Sequence, residues 1–250
     1  MTTESIERRI LGALRFVDAV TGQRLDEPLV VQSDTAATLR NRPGDYVIIA
    51  ANVLNAQADA FDVPTIPPAL ASTDIAFTVS DPARRYLDRQ ATVSLPRDAD
   101  PLNATDPESL FMPAEVRMYP SPAGPTWPGW ALIRATVKPA PQLGDTGKER
   151  IANALLRVVR VSDDALIGSG MSDARGEALV GVAGIPITSF GSGNGPVLET
   201  TVDVVIEVIA DPNATGAPDP DDLETNRATL LVKTSPQLEL ASGRVVDLIV

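Results

Sequence analysis

Proline and glycine limit what this chain can fold into. Twenty-two prolines and 17 glycines interrupt its 250 residues, so the apolar runs are short and separated by reversals. Proline lacks the amide that a helix interior or central strand needs, and glycine enters turn conformations without penalty. Such punctuation suits short strands joined by turns. Hydrophobic residues make up 44% and aromatic ones 4%, so cores can form but must be filled by Val, Leu, Ile and Ala. The length is large for one sandwich and comfortable for two.

The runs between the breaks carry strand patterns. Ile10–Val17 is followed by Asp18-Ala-Val-Thr-Gly22, where Gly22 can take positive φ, and Leu29–Val31 is a short second run. Arg42–Ala50 turns at Pro43-Gly44, and its Tyr46, Val47, Ile48 and Ile49 suit burial on both faces. Ile75, Phe77 and Val79 share one face of an alternating strand that Asp81-Pro82 ends. Ala91–Leu95 alternates and stops at Pro96. Arg97–Ser109 is polar, a long Asp-rich loop, and Glu115–Tyr119 is strand-like.

Pro120–Gly129 then holds four prolines and two glycines in ten residues. No ladder or helix survives that density. Residues 120–130 are therefore expected to link an N-terminal sandwich, 1–119, to a C-terminal one, 131–250. Trp127 and Trp130 stand at the end of this segment, covering a seam between the domains or forming a platform for a stacked ligand.

In the second half, strands are expected at Ala131–Val137, Asn153–Val161, Ala178–Val182, Thr200–Ile209, Thr229–Val232 and Val245–Val250. Asn153–Val161 has helical propensity, but Leu155, Arg157, Val159 and Val161 alternate with Leu156, Val158 and Arg160, which favours a strand. Gly168–Gly176 holds a turn, and Asp211–Glu224 is an acidic loop. A short helix near Glu4–Leu11 is the one helical expectation. Val245–Val250 either closes the second sandwich or is donated to a neighbour. Its large apolar side chains favour closure, since each loses roughly 1.5–3 kcal/mol if left unburied.

Composition excludes much chemistry. The sequence has no Cys and no His, which removes thiolate nucleophiles, disulfides, Ser-His-Asp triads and imidazole metal ligands. A formal net charge of −12 repels nucleic-acid phosphates and anionic lipid. No apolar run approaches the roughly 20 residues that cross a bilayer. Met1–Arg9 is polar and lacks the apolar core of a secretory signal, so synthesis in the cytoplasm is expected, with any export by lysis or within a particle.

Carboxylates are the remaining chemical candidates. Asp211, Asp219, Asp221, Asp222 and Glu224 could offer oxygen ligands to Ca²⁺. Their spacing does not match an EF-hand, and Pro212, Pro218 and Pro220 stiffen the loop, which favours a solvated loop. Asp98, Asp100 and Asp106 repeat the idea, and Asn103-Ala-Thr105 echoes Asn213-Ala-Thr215. Glycoside hydrolysis needs a carboxylate pair, but no strand-end Glu pair stands out and aromatics are few. Gly191–Gly195 is Gly-rich without a following Lys, so it is a hairpin tip rather than a phosphate loop. No catalytic residue and no cofactor is expected.

Two resemblances add to this. Ser172, Asp173 and Gly176 between two strands, with Val17–Gly22 and Arg40–Tyr46 (Pro43-Gly44-Asp-Tyr46) earlier, resemble the carboxypeptidase-regulatory-like, or transthyretin-like, β-sandwich. In that pattern the Asp caps the turn and the Gly supplies the left-handed position. The resemblance implies an all-β chain of two tandem transthyretin-like or Ig-like sandwiches with long Pro- and Asp-rich loops, and an accessory rather than catalytic role. Asp81–Leu87, Val93–Pro96, Met118–Pro122 and Gly129–Arg134 resemble components of phage-tail-like contractile injection systems.

The function expected is a non-enzymatic structural or adaptor subunit associated with the cap, sheath or baseplate of such a particle. Its partners would be sheath, tube, cap or baseplate proteins within a homo- or hetero-oligomer, with no nucleic acid and no membrane. The alternative is a surface-binding or adhesion module, stabilised by calcium.

Overall fold

The computed structural model describes residues 10–57, 72–98, 100–139, 149–189, 198–214 and 216–250. The tip at Gly191–Gly195 lies outside them, as does the expected helix near Glu4–Leu11 apart from Ile10 and Leu11, which are not helical. The described residues are almost entirely strand, turn and loop. The chain divides into two compact units: Met1–Val17, Arg24–Pro82 and Arg89–Arg117 form one, and Asp18–Gln23, Ala83–Asp88 and Met118–Val250 the other.

The first unit pairs two sheets. One has the order β3-β4-β1-β7, from β1 (Gly12–Asp18), β3 (Ala36–Arg40), β4 (Tyr46–Ala51) and β7 (Ala114–Met118). The other has the order β2-β5-β6, from β2 (Val30–Gln32), β5 (Thr73–Ser80) and β6 (Arg89–Leu95). Period-2 burial is clear in β5, where Ile75, Phe77 and Val79 are buried, and in β6, where Arg89, Ala91, Val93 and Leu95 are. A Cβ at Gly12 of β1 would stand 3.0 Å from Leu95 Cδ2 of β6, so the sheets meet face to face there. Tyr46 packs edge-on to Phe16, with centroids 5.2 Å apart. Its hydroxyl donates to Leu29 O at 2.8 Å and accepts from Leu29 N at 2.6 Å.

Strand β3 leaves no signal in the sequence. Ala36-Ala-Thr-Leu-Arg40 lies at a sheet edge and is largely exposed, so its sequence carries no apolar alternation. Buried Arg89 leaves none either: it opens the inward row of β6 and donates to Gln90 O and Arg117 O, both at 2.7 Å.

The second unit is a β-sandwich. One sheet runs β10-β9-β14-β15 with β16 also on β14, from β9 (Leu155–Arg160), β10 (Leu166–Met171), β14 (Thr201–Ile209), β15 (Leu231–Thr234) and β16 (Leu238–Ala241). The other runs β11-β8-β17, from β8 (Ala131–Thr136), β11 (Glu177–Val182) and β17 (Val245–Ile249). Two short strands, β12 (Thr188–Ser189) and β13 (Leu198–Glu199), pair with each other. One apolar cluster joins both sheets: Ile133, Val180 and Val182 meet Leu156, Val158, Val204, Ile206 and Leu240. This is the Val, Leu, Ile and Ala core that scarce aromatics require.

Residues 155–160 are strand rather than helix, and β14 is the long strand expected near 200–209. β14 changes partner along its length, from β16 at Thr201–Val204 to β15 at Glu207–Ile209. Buried Ser235 bridges the change: its amide donates to Ile206 O at 2.8 Å, and its Oγ accepts from Ile206 N at 2.9 Å.

Three expectations are corrected. The acidic loop ends in helix α1 (Pro220–Thr225), capped by the Asp219 side chain. The strand expected at Thr229–Val232 starts two residues later, because Thr229 and Leu230 belong to helix α2 (Arg227–Leu230). The turn within Gly168–Gly176 is confined to its end, since Gly168–Met171 is strand. There Asp173 Oδ1 accepts from Arg175 N and Glu177 N, and Gly176 takes φ +73°.

Residues 120–130 lie in the second unit, where Ser121 N donates to Arg85 O and Ser121 Oγ to Arg84 O. Trp130 packs on Gly181, with its Cε3 3.0 Å from where a Cβ would stand, and Trp127 is exposed.

Candidate interaction surface

The β17 strand positions the surface. It runs parallel to β8, with Val245 opposite Leu132, Asp247 opposite Arg134 and Ile249 opposite Thr136. Leu132 N donates to Arg244 O at 2.9 Å, Val250 N to Thr136 O at 3.0 Å and Lys138 N to Val250 O at 2.6 Å. In a parallel ladder a residue sends both of its backbone groups to one side, and its neighbours send theirs to the other. Arg244, Val246, Leu248 and Val250 therefore face β8, and Val245, Asp247 and Ile249 turn theirs outward. Among the described residues no strand pairs with that outer edge.

Side chains alternate with the same period. Val246, Leu248 and Val250 pack into the core. Val245 is 52% exposed and Ile249 68% exposed, so the expectation that β17's large apolar side chains all bury holds for three of the five. The same three residues thus present both unused backbone groups and solvent-facing side chains.

Beside this edge lies a shallow depression of about 370 Å³, bordered by Pro122, Arg134, Thr136, Glu177, Asp247 and Ile249. Arg134 donates from Nη1 to Pro122 O at 3.4 Å rather than pairing with Asp247. Two carboxylates and one guanidinium leave the rim acidic. A shallow rim of this composition can hold a cationic side chain, and it brings no nucleophile next to a base.

The five acidic-loop candidates are dispersed. Asp211 accepts from Asn213 N at 2.8 Å, Asp219 accepts from Asp221 N at 3.1 Å, and Asp221 and Asp222 are exposed in the first turn of α1. Glu224 reaches Arg157, with its Oε2 2.9 Å from Nε but outside hydrogen-bond alignment. Among the described residues no three Asp or Glu side chains gather as metal ligands. Asp98 accepts from Asn103 Nδ2 at 2.7 Å and Asp100 N at 2.8 Å. These bonds, the Asn103 one foremost, hold its carboxyl below the usual range. Asp100 caps a 3-10 turn at Pro101–Asn103, and Asp106 N donates to Asn103 O at 2.9 Å.

A charge network unseen in the sequence crosses the larger sheet. Glu207 on β14 accepts from Arg157 and from both Nε and Nη2 of Arg227. Burial pushes the Glu207 carboxyl up, but the hydrogen bonds from Arg227 and Arg157 outweigh it and hold the group below its ordinary value. Its partners lie 50 and 20 residues away, so only the β9–β14 pairing and α2 reveal the set.

No family model matches the chain. No curated protein matches it. It is similar to a solved structure of the Bacillus anthracis TIE protein, at 10% identity and a TM-score of 0.28. The match covers 96% of this chain and 34% of that one, so the chain spans about a third of that protein's length.

Proposed function

We propose that this chain is a non-catalytic assembly subunit that works through protein contacts, as a structural or adaptor component of a phage-tail-like contractile particle. The observation that supports an assembly role is the outer edge of β17, where backbone groups that no strand among the described residues pairs with coincide with the exposed side chains of Val245 and Ile249. Natural sheets usually blunt such edges, because they template pairing with other chains. The choice of particle rests on the sequence resemblance at Asp81–Leu87, Val93–Pro96, Met118–Pro122 and Gly129–Arg134. The lack of His and Cys supports the absence of catalysis. Synthesis in the cytoplasm followed by incorporation into a particle fits this role.

The test is to delete the coding sequence in the source strain, purify released particles and image them by negative stain, with mass spectrometry of the parent preparation. Absent or malformed particles, and the chain's peptides in the parent ones, are expected. Normal particles that never contain the chain would sink the proposal.

A further inference from the structure

We infer that the outer edge of β17 is a strand-addition site whose occupant is an extended segment of a partner protein, carrying a basic residue with an apolar residue two places to either side. This rests on the assembly role proposed above and supplies the chemistry of its partner. Val245, Asp247 and Ile249 turn three amides and three carbonyls outward, and an added strand satisfies them while setting one of its own side chains opposite each residue. Directly opposed side chains lie about 5 Å apart. Val245 and Ile249 therefore call for apolar partners, and Asp247 for a cation.

The surroundings select the same charge. Thr136 is in register with both Glu177 of β11 and Ile249 of β17, so Glu177 borders the depression from its far side. A lysine or arginine laid over Asp247 meets that carboxylate directly, Glu177 lies two strands further in along the same sheet, and Arg134 is turned to the Pro122 carbonyl. The net charge of −12 favours a basic segment over an acidic one. A second copy of this chain fits poorly. An antiparallel pair of β17 strands that matched Val245 to Ile249 would set Asp247 against Asp247, and like charges directly opposite destabilise a ladder.

The probe is a blocked seven-residue peptide with lysine at its centre, valine two places to either side and threonine elsewhere. It is titrated into the full-length, nitrogen-15-labelled chain to millimolar concentration. Amide shifts and slowed hydrogen exchange at Val245, Asp247 and Ile249 are expected. Backbone N-methylation on the edge facing β17 should abolish them. Replacing the central lysine by glutamate should weaken binding by about 1.4-fold to fivefold, the range for opposed charge pairs, and Asp247→Lys, at an exposed position, should invert that preference.

Equal binding of the N-methylated peptide, shifts away from β17, or a concentration-dependent dimer of the parent chain that shifts the Val245, Asp247 and Ile249 amides would each overturn the inference. The two proposals fail separately. A chain found in particles whose β17 ignores the peptide keeps the assembly role and loses the edge. A chain absent from particles that still binds the peptide loses the role and keeps the site.

Discussion

The two flanks of the three-stranded sheet in the second unit, at β11 and at β17, are built by opposite means. At β11 the sandwich closes through the Asp173–Gly176 turn, and β10 of the facing sheet comes so near that side chains had to go. A Cβ at Gly170 would stand 2.7 Å from Val180 Cγ2 and 3.0 Å from Leu179 O, and one at Gly168 would stand 2.9 Å from Val182 Cγ2. At β17 no described strand follows, and large side chains remain on the outer face. Closing an edge costs side-chain volume, whereas leaving one open requires some guard against promiscuous pairing. Here the charge of Asp247 between two apolar residues serves as that guard.

This contrast can be broken at either flank. Deleting Val245–Val250 removes Val246, Leu248 and Val250 from the core and strips the β8 edge. A loss on the order of 5 kcal/mol is expected, seen as loss of the second unit's cooperative melt. Unchanged melting would mean that β17 is not part of the folded sandwich. Gly170→Ala should cost about 3 kcal/mol by overpacking against β11, measured by chemical denaturation. A cost below 0.5 kcal/mol would show that the β10–β11 approach is looser than described.

Neighbouring residues of β17 give a sharper comparison. Leu248→Ala should cost about 2 kcal/mol and Ile249→Ala less than about 0.5 kcal/mol. Equal costs would contradict the division between inward and outward rows.

Glu207, away from both flanks, provides a reference of another kind. Glu207→Gln should cost about 1–2 kcal/mol through its charged hydrogen bonds. Its folded-state pKa lies below the unfolded value. Its contribution is therefore present above about pH 4.3, the ordinary value for glutamate, and is lost as pH falls through the depressed one. Thermal melts between pH 3 and 7 should show a shallower acid decline for the variant than for the parent, and parallel curves would remove Glu207 from the acid response.

Period-2 burial made much of the fold legible in the sequence. Ile75, Phe77 and Val79 declare β5 because one face is buried and the other wet, and β14 declares itself by β-branched density. Where both faces are wet, as in Ala36–Arg40, no periodic signal exists. The helix at Pro220–Thr225 was hidden by its acidity, although an Asp cap followed by a first-turn proline is a start signal that could have revealed it. The Gly168 and Gly170 positions suggested a turn because glycine marks both reversals and close approaches, and only the neighbouring strand distinguishes them. The apolar run at Val245–Val250 was visible, but which of its residues face outward follows from its register with β8. The Arg157–Glu207–Arg227 set joins three distant segments, so no local pattern could signal it.

The pairing of β17 with β8 also has a kinetic side. Val245 lies opposite Leu132, so β8 is synthesised more than a hundred residues before its parallel partner exists. At ribosomal speeds of roughly 5–20 residues per second, about 6–23 seconds separate them. During that interval the flank of β8 that β17 will cover is a vacant template, and the parallel match closes a long loop, which is intrinsically slow. A chaperone or a neighbouring nascent chain that covers β8 in those seconds would therefore decide how much of the protein reaches its finished sheet.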